Sequence, residues 1–423
     1  ILETRLHADP SRVVLRPFHL GWQSTSAPGG RAMRLVEDIA ALSERRAIRE
    51  YARVAHDFVE RHWQTEQMFD SRYAEVEVML GLDGAGFSRT RKRLIGAYFC
   101  HEYTYAAAAL MNPSIVPHPD QTGMAGGDVR FVMSLRAVGE GHISSIAFRE
   151  GIASPEGTFE LWPQSAFATS VELDQESLTD SMSAVSVHRH PDSSLSNTVI
   201  FPITEQQRGG LEDLRLVQFE HPDGSIEWIG TYTAYSGSSI RSELMRTPDF
   251  RQFVLEPIDG EAGRNKGMAL FPRQIDGRYA MVGRQDGKNL FLLRSDRIDT
   301  WDDEGVLLME PRYPWEFIQI GNCGSPILTD SGWLMLTHGV GAMRKYALGA
   351  ALLDRDDPSK VLARTREPVL TAEDADRSGY VPNVVYTCGA MKVGDALLIP
   401  YGISDSAVGF ATTTVSDLLA MMD

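Results

Sequence analysis

The sequence predicts a closed, all-β propeller of five blades that follows a helical N-terminal segment. From residue 112 onward the 423-residue chain consists of short apolar runs separated by turn sequences such as Pro-Asp-Gly and Asp-Gly-Arg. About 310 residues of this pattern exceed one β-sandwich and fit five blades of about 60 residues each. Before residue 112, apolar residues recur every three or four positions, which is typical of amphipathic helices. We therefore expect two parts, residues 1–111 and 112–423.

The N-terminal part begins with "SRVVLRPF" (11–18), which predicts a strand or an extended arm. The helical pattern then covers residues 31–63 and 88–111, where Ser88 is the expected N-cap and Pro113 ends the second helical stretch. We expect two or three helices that either cover one rim of a pocket or form a dimer interface. A homo-oligomer is therefore one expectation.

The β part repeats one kind of hairpin. The stretches "GSIEWIGTYTAY", "GRYAMVGRQ", "GWLMLTHGV" and "DALLIPYGI" each look like the inner hairpin of one blade. Propeller strands start near the central axis, so polar residues at strand ends can converge on a single pocket. The candidates at such positions are Asn112, Ser114, Arg136, Asp213, Arg215, Tyr235, Lys266, Arg284, His338, Asn383 and Asp405.

Composition and missing motifs exclude several classes of function. A formal net charge of −16 disfavours binding to nucleic acid. The absence of an 18-residue apolar run predicts no transmembrane helix, and the charged first 25 residues predict no signal peptide. Three widely spaced cysteines argue against a disulfide framework and favour a reducing cytoplasm. The sequence lacks a dinucleotide or P-loop fingerprint, HExxH and zinc spacing, so we expect no cofactor and no metal.

The stretch "GGLEDLRLVQF" (209–219) places Glu212, Asp213 and Arg215 at the start of an apolar run. From the residues alone, this is either a solvated strand end or a catalytic carboxylate beside its charge partner. Neighbouring residues of a regular strand point to opposite faces, so Glu212 is expected to face away from Asp213, whereas Arg215 shares its face. If the pocket brings Asp405 close, its carboxylate is the better expected neighbour to raise the pKa of Asp213.

The order of the blocks "NPS", "LRA", "EDLR", "TYTAYS", "NKGMALFPR", "GNCGSPI", "GAALLDRDDPSKVLAR" and "GYVPNVVYTCG" resembles glycoside hydrolase family 130 over about residues 112–420. This family contains β-mannoside phosphorylases and a smaller set of related β-mannosidases. The resemblance implies a five-bladed propeller and an inverting reaction. In that reaction inorganic phosphate, a co-substrate, cleaves a β-mannoside of a mannose-containing oligosaccharide to give α-mannose 1-phosphate.

The resemblance also implies roles for the candidates. Asp213 stands at the position of the general acid, whose proton would travel through the mannose 3-hydroxyl. Arg215 is expected to pair away from Asp213 or to contact phosphate. Phosphate is expected to bind Lys266, Arg284 and His338, with help from Arg344 in "MRKY". The residues expected to bind sugar are Asn112, Ser114, Arg136, Tyr235, Asn383 and Asp405.

Three hypotheses follow. The first is an inverting β-mannoside phosphorylase acting on β-1,2-linked manno-oligosaccharides. The second is a hydrolase on the same scaffold, which needs a general base to activate water, and Glu316 is the candidate. The third is a non-catalytic propeller that serves as an interaction platform. Phosphate dependence of mannoside cleavage separates the first two.

Overall fold

The computed structural model describes residues 1–18, 30–83, 86–174 and 184–423. Within them the chain divides into two compact units. The β unit comprises Ile1–Pro10, Ala106–Gln164 and Val171–Asp423, and the helical unit comprises Ser11–Tyr105 and Ser165–Ser170. The sequence places the division at residues 111 and 112, whereas the structure divides at Tyr105 and Ala106 and assigns Ile1–Pro10 to the β unit.

The fold is mostly β with few helices. The helices of the described residues are α1 (Arg31–Ala40), α2 (Glu44–Phe58), α3 (Thr65–Leu80), α4 (Arg89–Tyr98) and α5 (Val415–Ala420). The strands up to residue 200 are β1 (Arg5–His7), β2 (Val13–Pro17), β3 (Cys100–Thr104), β4 (Ala109–Pro117), β5 (Val129–Val138), β6 (Ser144–Ala153), β7 (Phe159–Leu161), β8 (Phe167–Ser170), β9 (Glu172–Leu173), β10 (Val185–His188) and β11 (Thr198–Ile200).

The strands after residue 200 include one long hairpin, formed by the first two of them. They are β12 (Gly210–Glu220), β13 (Ile226–Tyr235), β14 (Ile240–Thr247), β15 (Gln252–Pro257), β16 (Ala269–Leu270), β17 (Tyr279–Gly283), β18 (Leu290–Ser295), β19 (Val306–Met309), β20 (Gln319–Asn322), β21 (Ile327–Thr329), β22 (Gly332–Val340), β23 (Tyr346–Leu353), β24 (Val361–Arg364), β25 (Leu370–Thr371), β26 (Val385–Tyr386), β27 (Met391–Val393), β28 (Ala396–Ile403) and β29 (Ala407–Thr414). No helix in the described part of the chain is long and apolar enough to cross a membrane.

The helical unit packs α1 to α4 around a small core and carries the sheet β3-β2-β8. In α1 the buried residues Ala32, Val36 and Ile39 recur at spacings of four and three, so they share one face. The predicted N-cap of α4 is confirmed, since the hydroxyl of Ser88 accepts a hydrogen bond from the amide of Arg91 at 3.2 Å. The strand predicted over residues 11–18 is confirmed as β2.

The helix predicted over residues 88–111 is wrong in its second half. Helix α4 ends at Tyr98, and Cys100–Thr104 forms β3, which pairs antiparallel with β2. The Ala-rich stretch that follows leads into β4, which pairs with β5. Alanine has the highest helix propensity, but propensity is a weak preference, and the tertiary pairing of these segments overrides it.

The described residues of the β unit form five antiparallel meanders, taken in chain order. Meander 1 is β4 to β7, meander 2 is β12 to β15 and meander 3 is β16 to β19. Meander 4 is built on β20, β22, β23 and β24. Meander 5 is built on β26, β28 and β29, and the N-terminal strand β1 completes it by pairing with β29.

Each meander packs against the next one. Contacts join β4 to β12, β13 to β16, β17 to β20, β23 to β26, and β28 back to β4. Strand β13 is buried on both faces. Trp228 packs in the core between meanders 1 and 2, and its neighbour Ile229 packs in the core between meanders 2 and 3. The polar ends of the first strands of several meanders meet at one cavity.

Candidate active site

A cavity of about 280 Å³ opens among these strand ends. Nearly all of its lining side chains are polar or charged. The lining residues are Asn112, Arg136, Glu212, Asp213, Arg215, Thr233, Lys266, Gly267, Arg284, Gln319, Gly321, Asn322, His338, Arg344, Tyr346, Val384, Tyr386 and Asp405.

Glu212 and Asp213 both face this cavity, which corrects the expectation that they point to opposite faces. The pairing register of β12 with β13 shifts between Glu212 and Arg215, so a bulge breaks the alternation of the strand. Asp213 sits in the bulge with a left-handed backbone at φ 57°. The bulge turns two consecutive carboxylates toward the same space.

A second bulge faces the first. The register of β4 with β5 shifts between Met111 and Ser114, and Asn112 adopts φ 49°. The amide nitrogen of Asn112 donates a hydrogen bond to Oδ1 of Asp213 at 2.7 Å. The buried hydroxyl of Ser114 accepts a hydrogen bond from the backbone N–H of Leu216 at 3.0 Å. Ser114 therefore fastens the two bulged strands together, which fixes Asp213 relative to Asn112.

Arg136 joins the two carboxylates. One guanidinium nitrogen donates to Oε1 of Glu212 at 2.7 Å and another donates to Oδ1 of Asp213 at 3.3 Å. Nε of Arg136 donates to the hydroxyl of Ser144 at 2.9 Å. This arrangement orients both acids with charge-assisted hydrogen bonds.

Strained backbone is concentrated around the cavity. Four of its lining residues, Asn112, Asp213, Arg344 and Asp405, have positive φ although none is glycine. Such conformations are uncommon for non-glycine residues and persist only where the surrounding structure enforces them. Their clustering at one cavity indicates a functional site.

Charge and burial set the pKa values of the three acids apart. Burial raises the pKa of Asp213, but Arg136, Arg215 and the amide of Asn112 outweigh it, so that pKa lies below its ordinary value. Burial raises the pKa of Glu212 above its ordinary value, and the charge of Asp213 adds to the rise while Arg136 opposes it. Burial and the charge of Asp213 raise the pKa of Asp405 to about 6. Acids with separated pKa values in one cleft are a common sign of acid-base chemistry.

Arg215 does not form an ion pair with the carboxylate of Asp213. It donates instead to the backbone carbonyl of Asp213 at 3.2 Å and to the hydroxyl of Tyr386. Two polar atoms of the lining, Nε of Arg215 and Oδ1 of Asn112, are buried without a hydrogen-bond partner among the described residues. Buried polar atoms are seldom left unpaired, so these two are suited to a polar ligand.

Lys266, Arg284 and Arg344 supply further positive charge. Within the described part of the chain, none of the three forms a salt bridge with a carboxylate, although many other arginines do. Arg284 follows the last residue of β17, and Arg344 is aimed by its left-handed backbone at φ 55°. Cations that are not paired within the protein can pair with an anion that enters the cavity.

His338 lines the cavity as a neutral ring. Burial, with the charges of Arg284 and Arg215, lowers its pKa to about 3. Nδ1 lies 3.1 Å from the backbone oxygen of Asn322, which can only accept, so Nδ1 carries the hydrogen and Nε2 is an acceptor. Its cross-strand partner is Gly321, where a Cβ would lie 2.2 Å from Cε1 of the ring. Glycine at this position makes the room that the imidazole occupies.

Comparison with known proteins fits this site. Residues 168–423 match the profile of the family described as glycoside hydrolase 130, β-1,4-mannooligosaccharide phosphorylase. The chain belongs to glycoside hydrolase family 130. The resemblance that the sequence predicted is therefore confirmed.

Curated relatives match part of this chain. A 1,2-β-oligomannan phosphorylase of Thermoanaerobacter sp. (strain X514) is 34% identical over 234 residues, which are 53% of this chain and 75% of that protein. A β-1,2-mannobiose phosphorylase of Listeria innocua serovar 6a is 30% identical over 230 residues, which are 53% of this chain and 63% of that protein.

Solved structures show the same kind of fold. The β-1,2-mannobiose phosphorylase from Listeria innocua, in complex with β-1,2-mannobiose, has a TM-score of 0.50 at 22% identity and covers 74% of this chain and 92% of that one. A structure described with glycoside hydrolases of family 130 that target β-1,2 mannosidic linkages in Candida mannan has a TM-score of 0.54 at 19% identity. It covers 74% of this chain and 87% of that one.

Most of the candidates that the sequence of this family-130 member predicts line the cavity. They are Asn112, Arg136, Asp213, Arg215, Lys266, Arg284, His338, Arg344 and Asp405. Ser114, Tyr235 and Asn383 lie outside the lining. The hydroxyl of Tyr235 donates to the backbone oxygen of Gly237 at 2.9 Å, and Oδ1 of Asn383 accepts from Nε of Arg377 at 2.7 Å.

Glu316, the predicted base of a hydrolase, lies outside the cavity. It is 1% exposed and pairs with Arg364, and its second oxygen accepts the backbone N–H of Arg312 at 2.8 Å and of Tyr313 at 3.1 Å. These contacts identify Glu316 as a structural residue that holds a turn.

Sequence reasoning missed part of the lining. The missed residues are Glu212, Thr233, Gly267, Gln319, Gly321, Asn322, Tyr346, Val384 and Tyr386. For Glu212 the cause is the bulge, since regular alternation predicts the opposite face. Tyr346 and Tyr386 lie in apolar stretches of sequence, and such a pattern predicts the core of a blade as well as it predicts a cavity lining. Gly321 lies opposite His338 on the adjacent strand. This pairing could identify the site, but it cannot be predicted until the strand register is known.

Proposed function

We propose that this chain catalyses the inverting phosphorolysis of β-mannosides, giving α-mannose 1-phosphate, with β-1,2-linked manno-oligosaccharides as its substrates. One observation carries the proposal. A single cavity of a protein with net charge −16 brings a hydrogen-bonded cluster of carboxylates together with basic side chains that lack carboxylate partners in the described residues. Membership of family 130 and relatives named as phosphorylases of β-1,2-linked mannosides support it.

We propose a closed five-bladed propeller as the architecture that builds this site. Its support is the run of contacts from each meander to the next and from meander 5 back to meander 1. Strand β1 comes from the start of the chain and pairs with β29 near its end, which is the way propellers commonly fasten the ring. In that arrangement the meanders are the blades and the cavity lies on their central axis.

Asp213 is the proposed general acid. In the described state, Arg136 and Arg215 hold its pKa below the ordinary value against the effect of burial, so at neutral pH it is a carboxylate. A phosphate dianion that binds Arg215 and Lys266 would offset the cations that lower this pKa and add negative charge nearby. We therefore expect phosphate to raise the pKa of Asp213, so that the acid holds its proton when the nucleophile is bound.

The reaction balances with this set of groups. An oxygen of hydrogen phosphate forms a bond to the anomeric carbon on one face while the bond from that carbon to the glycosidic oxygen breaks on the other. The leaving oxygen takes a proton that Asp213 supplies, directly or through the mannose 3-hydroxyl. The P–OH proton is released and restores the acid. No nucleophile from the protein is required.

The phosphate site is proposed at Lys266, Arg284, His338, Arg215 and Arg344. The four cationic side chains attract the dianion and stabilise charge on its oxygens. His338 has a different role from theirs, because its neutral ring presents an acceptor nitrogen at Nε2. It can accept the hydrogen of the P–OH group and so orient hydrogen phosphate with its attacking oxygen toward the sugar.

The sugar site is proposed at Asn112, Arg136 and Asp405, beside the acid. Each offers a polar group to pyranose hydroxyls, and Oδ1 of Asn112 is an acceptor without a partner among the described residues. The sugar contacts of Ser114, Tyr235 and Asn383 stay predictions. The hydrogen bond of Ser114 joins two strands, and those of Tyr235 and Asn383 suit positioning of the segments beside the site.

We also propose a cytoplasmic setting for this reaction. Cys100, Cys323 and Cys388 are free thiols in the structure, as is usual for proteins of a reducing compartment. A homo-oligomer stays a prediction.

Hydrolysis on the same scaffold is the alternative. It is favoured by the presence of three carboxylates in one cavity, since an inverting hydrolase needs an acid and a base. Glu316 cannot serve as that base because it is buried outside the cavity. Glu212 and Asp405 are the carboxylates within the lining that remain for the role.

The test is a product assay on the purified protein with β-1,2-mannobiose. With phosphate we expect α-mannose 1-phosphate and one mannose per turnover, and without phosphate we expect a rate lower by at least about two orders of magnitude. Proton NMR of the first minutes of reaction identifies the anomer and thereby the inversion. Equal rates with and without phosphate, with free mannose as the only product, would establish the hydrolase instead.

A further inference from the structure

An aromatic pair lies on two loops that adjoin residues of the cavity lining, since one loop bonds to the residues that flank Asp405 and the other follows β5, which carries Arg136. The rings of Tyr380 and His142 stack with centroids 6.3 Å apart and an interplanar angle of 30°. Tyr380 is 72% exposed, and His142 is exposed as well. Among the described residues of the β unit, only Met343, beside the cavity residue Arg344, is a more exposed large apolar side chain. Large apolar side chains that are this exposed often mark a binding surface.

Hydrogen bonds tie Tyr380 to the turn that carries Asp405. Its backbone N–H donates to the hydroxyl of Ser406 at 2.7 Å, and the next residue, Val381, donates to the backbone oxygen of Ser404 at 3.0 Å. Gly379 permits this approach, since a Cβ there would lie 2.5 Å from the backbone oxygen of Ser404. The loop is therefore built against the segment that places Asp405 in the cavity.

His142 is tied to the other side of the same acids. It closes the short turn between β5 and β6, with Gly141 at φ 72° and His142 itself at φ 60°. Arg136, which holds Glu212 and Asp213, lies on β5 and donates to Ser144, the first residue of β6. A left-handed backbone at a non-glycine residue is costly, and here it fixes the ring beside Tyr380.

The contacts of both rings connect them to segments that hold the carboxylates of the cavity. This position determines which part of a substrate the rings can contact. A general acid protonates the oxygen of the leaving group, so the leaving sugar lies on the side of the acids, and the phosphate attacks from the opposite face of the mannose ring. A ring pair fastened to the acid side therefore extends the leaving-group side of the site.

We propose that Tyr380 and His142 form a binding platform for a further sugar residue on the leaving-group side, beyond the one attached to the bond that is cleaved. The ligand class is an uncharged pyranose of a manno-oligosaccharide, whose apolar C–H face packs on an aromatic ring. The inference rests on the proposed function for the placement of the leaving group. It makes this pair a determinant of chain length, favouring a trisaccharide over a disaccharide.

The test measures binding in the Asp213→Asn background, where neither phosphorolysis nor hydrolysis consumes the ligand. β-1,2-Mannobiose and β-1,2-mannotriose are titrated calorimetrically into that protein and into the same protein carrying Tyr380→Ala, Tyr380→Phe or His142→Ala. We expect Tyr380→Ala to weaken trisaccharide binding about fivefold and to leave disaccharide binding within about twofold. Tyr380→Phe keeps the aromatic face and should bind like the background protein. Tyr98→Ala, which removes an exposed tyrosine of α4, is the matched control.

The outcomes separate this inference from the proposed function. If Tyr380→Ala weakens both saccharides equally, or leaves the trisaccharide unaffected, the platform is overturned even if phosphorolysis is fully established. A background protein that binds the trisaccharide no more tightly than the disaccharide also overturns it. If the wild-type protein proves to be a hydrolase but the trisaccharide-specific loss appears, the platform stands and the phosphorylase proposal fails.

Discussion

The acids and the cations of the cavity are held in different ways. Arg136 donates hydrogen bonds to both Glu212 and Asp213, and Asn112, on the bulge that faces theirs, donates to Asp213. Lys266, Arg284 and Arg344 come from meanders 3 and 4, and within the described residues no carboxylate forms a salt bridge with them. The acids are thus oriented by the protein, whereas the cations are left to be neutralised by a ligand.

This difference assigns separate consequences to the two groups. Under the proposed function, loss of Asp213 should remove chemistry that mannoside cleavage at this site requires. Loss of a cation should weaken the proposed phosphate site and leave the geometry of the acids in place. The predictions below test that separation, beginning with the largest expected effect.

Replacing Asp213 with Asn should lower phosphorolysis at least about a hundredfold, because an amide cannot supply the proton that the leaving group needs. Asparagine tolerates the left-handed backbone at this position, so the fold should persist, as circular dichroism can verify. Asp276→Asn is the matched control, since Asp276 is also left-handed at φ 51° but exposed and away from the cavity. A folded Asp213→Asn protein with normal turnover would remove Asp213 from the role of acid.

Replacing Lys266 with Ala should raise the KM for phosphate about tenfold to a hundredfold, because one charge-assisted contact contributes roughly 1.5–3 kcal/mol. Binding of the manno-oligosaccharide in the absence of phosphate should change less than about twofold. Lys392→Ala, which removes an exposed lysine of β27, controls for net charge. An equal loss of sugar and phosphate affinity would show that the two groups do not act separately.

Replacing Asp405 with Asn should stabilise the protein at alkaline but not at acidic pH. Burial and Asp213 raise the pKa of Asp405 to about 6 from an unfolded value of 3.8, so its contribution to stability is present below the unfolded value and is lost as the pH rises through 6. The amide has no charge to bury. The stability of the variant relative to wild type should therefore increase by about 2 kcal/mol between pH 4 and pH 8.

Urea unfolding at the two pH values measures this difference. Asp276→Asn, at an exposed site, should show no comparable change with pH. A constant difference between wild type and the Asp405→Asn variant at both pH values would mean that neither burial nor the charge of Asp213 raises the pKa of Asp405 in the folded state.

The sequence predicted the membership of the family, the mostly-β fold and much of the cavity. Asp213, Lys266, Arg284 and His338 were found because polar residues at strand ends are the ones that can converge. The bulge at Asp213 could not be predicted from the sequence. Regular alternation places Glu212 on the other face of the strand, and only the observed register shows the shift. The neutral state of His338 was equally hidden, because it depends on burial and on the charges of Arg284 and Arg215.

The same limit explains the misassigned helix over residues 88–111. An alanine-rich stretch favours a helix locally, but pairing with β2 and β5 was worth more than that preference, and such pairing is not visible in the local pattern. Glu316 shows the converse error, since an acid that looked free to act as a base holds a turn through Arg364.

Synthesis in the reverse direction tests the central claim, that acid and phosphate site act in one cavity, most directly. A glycoside and a sugar phosphate differ little in free energy, so a phosphorylase must run both ways. Wild-type protein incubated with α-mannose 1-phosphate and mannose should form a β-1,2-linked mannoside and release one phosphate for each bond made, and Asp213→Asn should abolish both. Release of phosphate without any mannoside, or no reaction of α-mannose 1-phosphate in a folded protein that cleaves β-mannosides, would contradict the account.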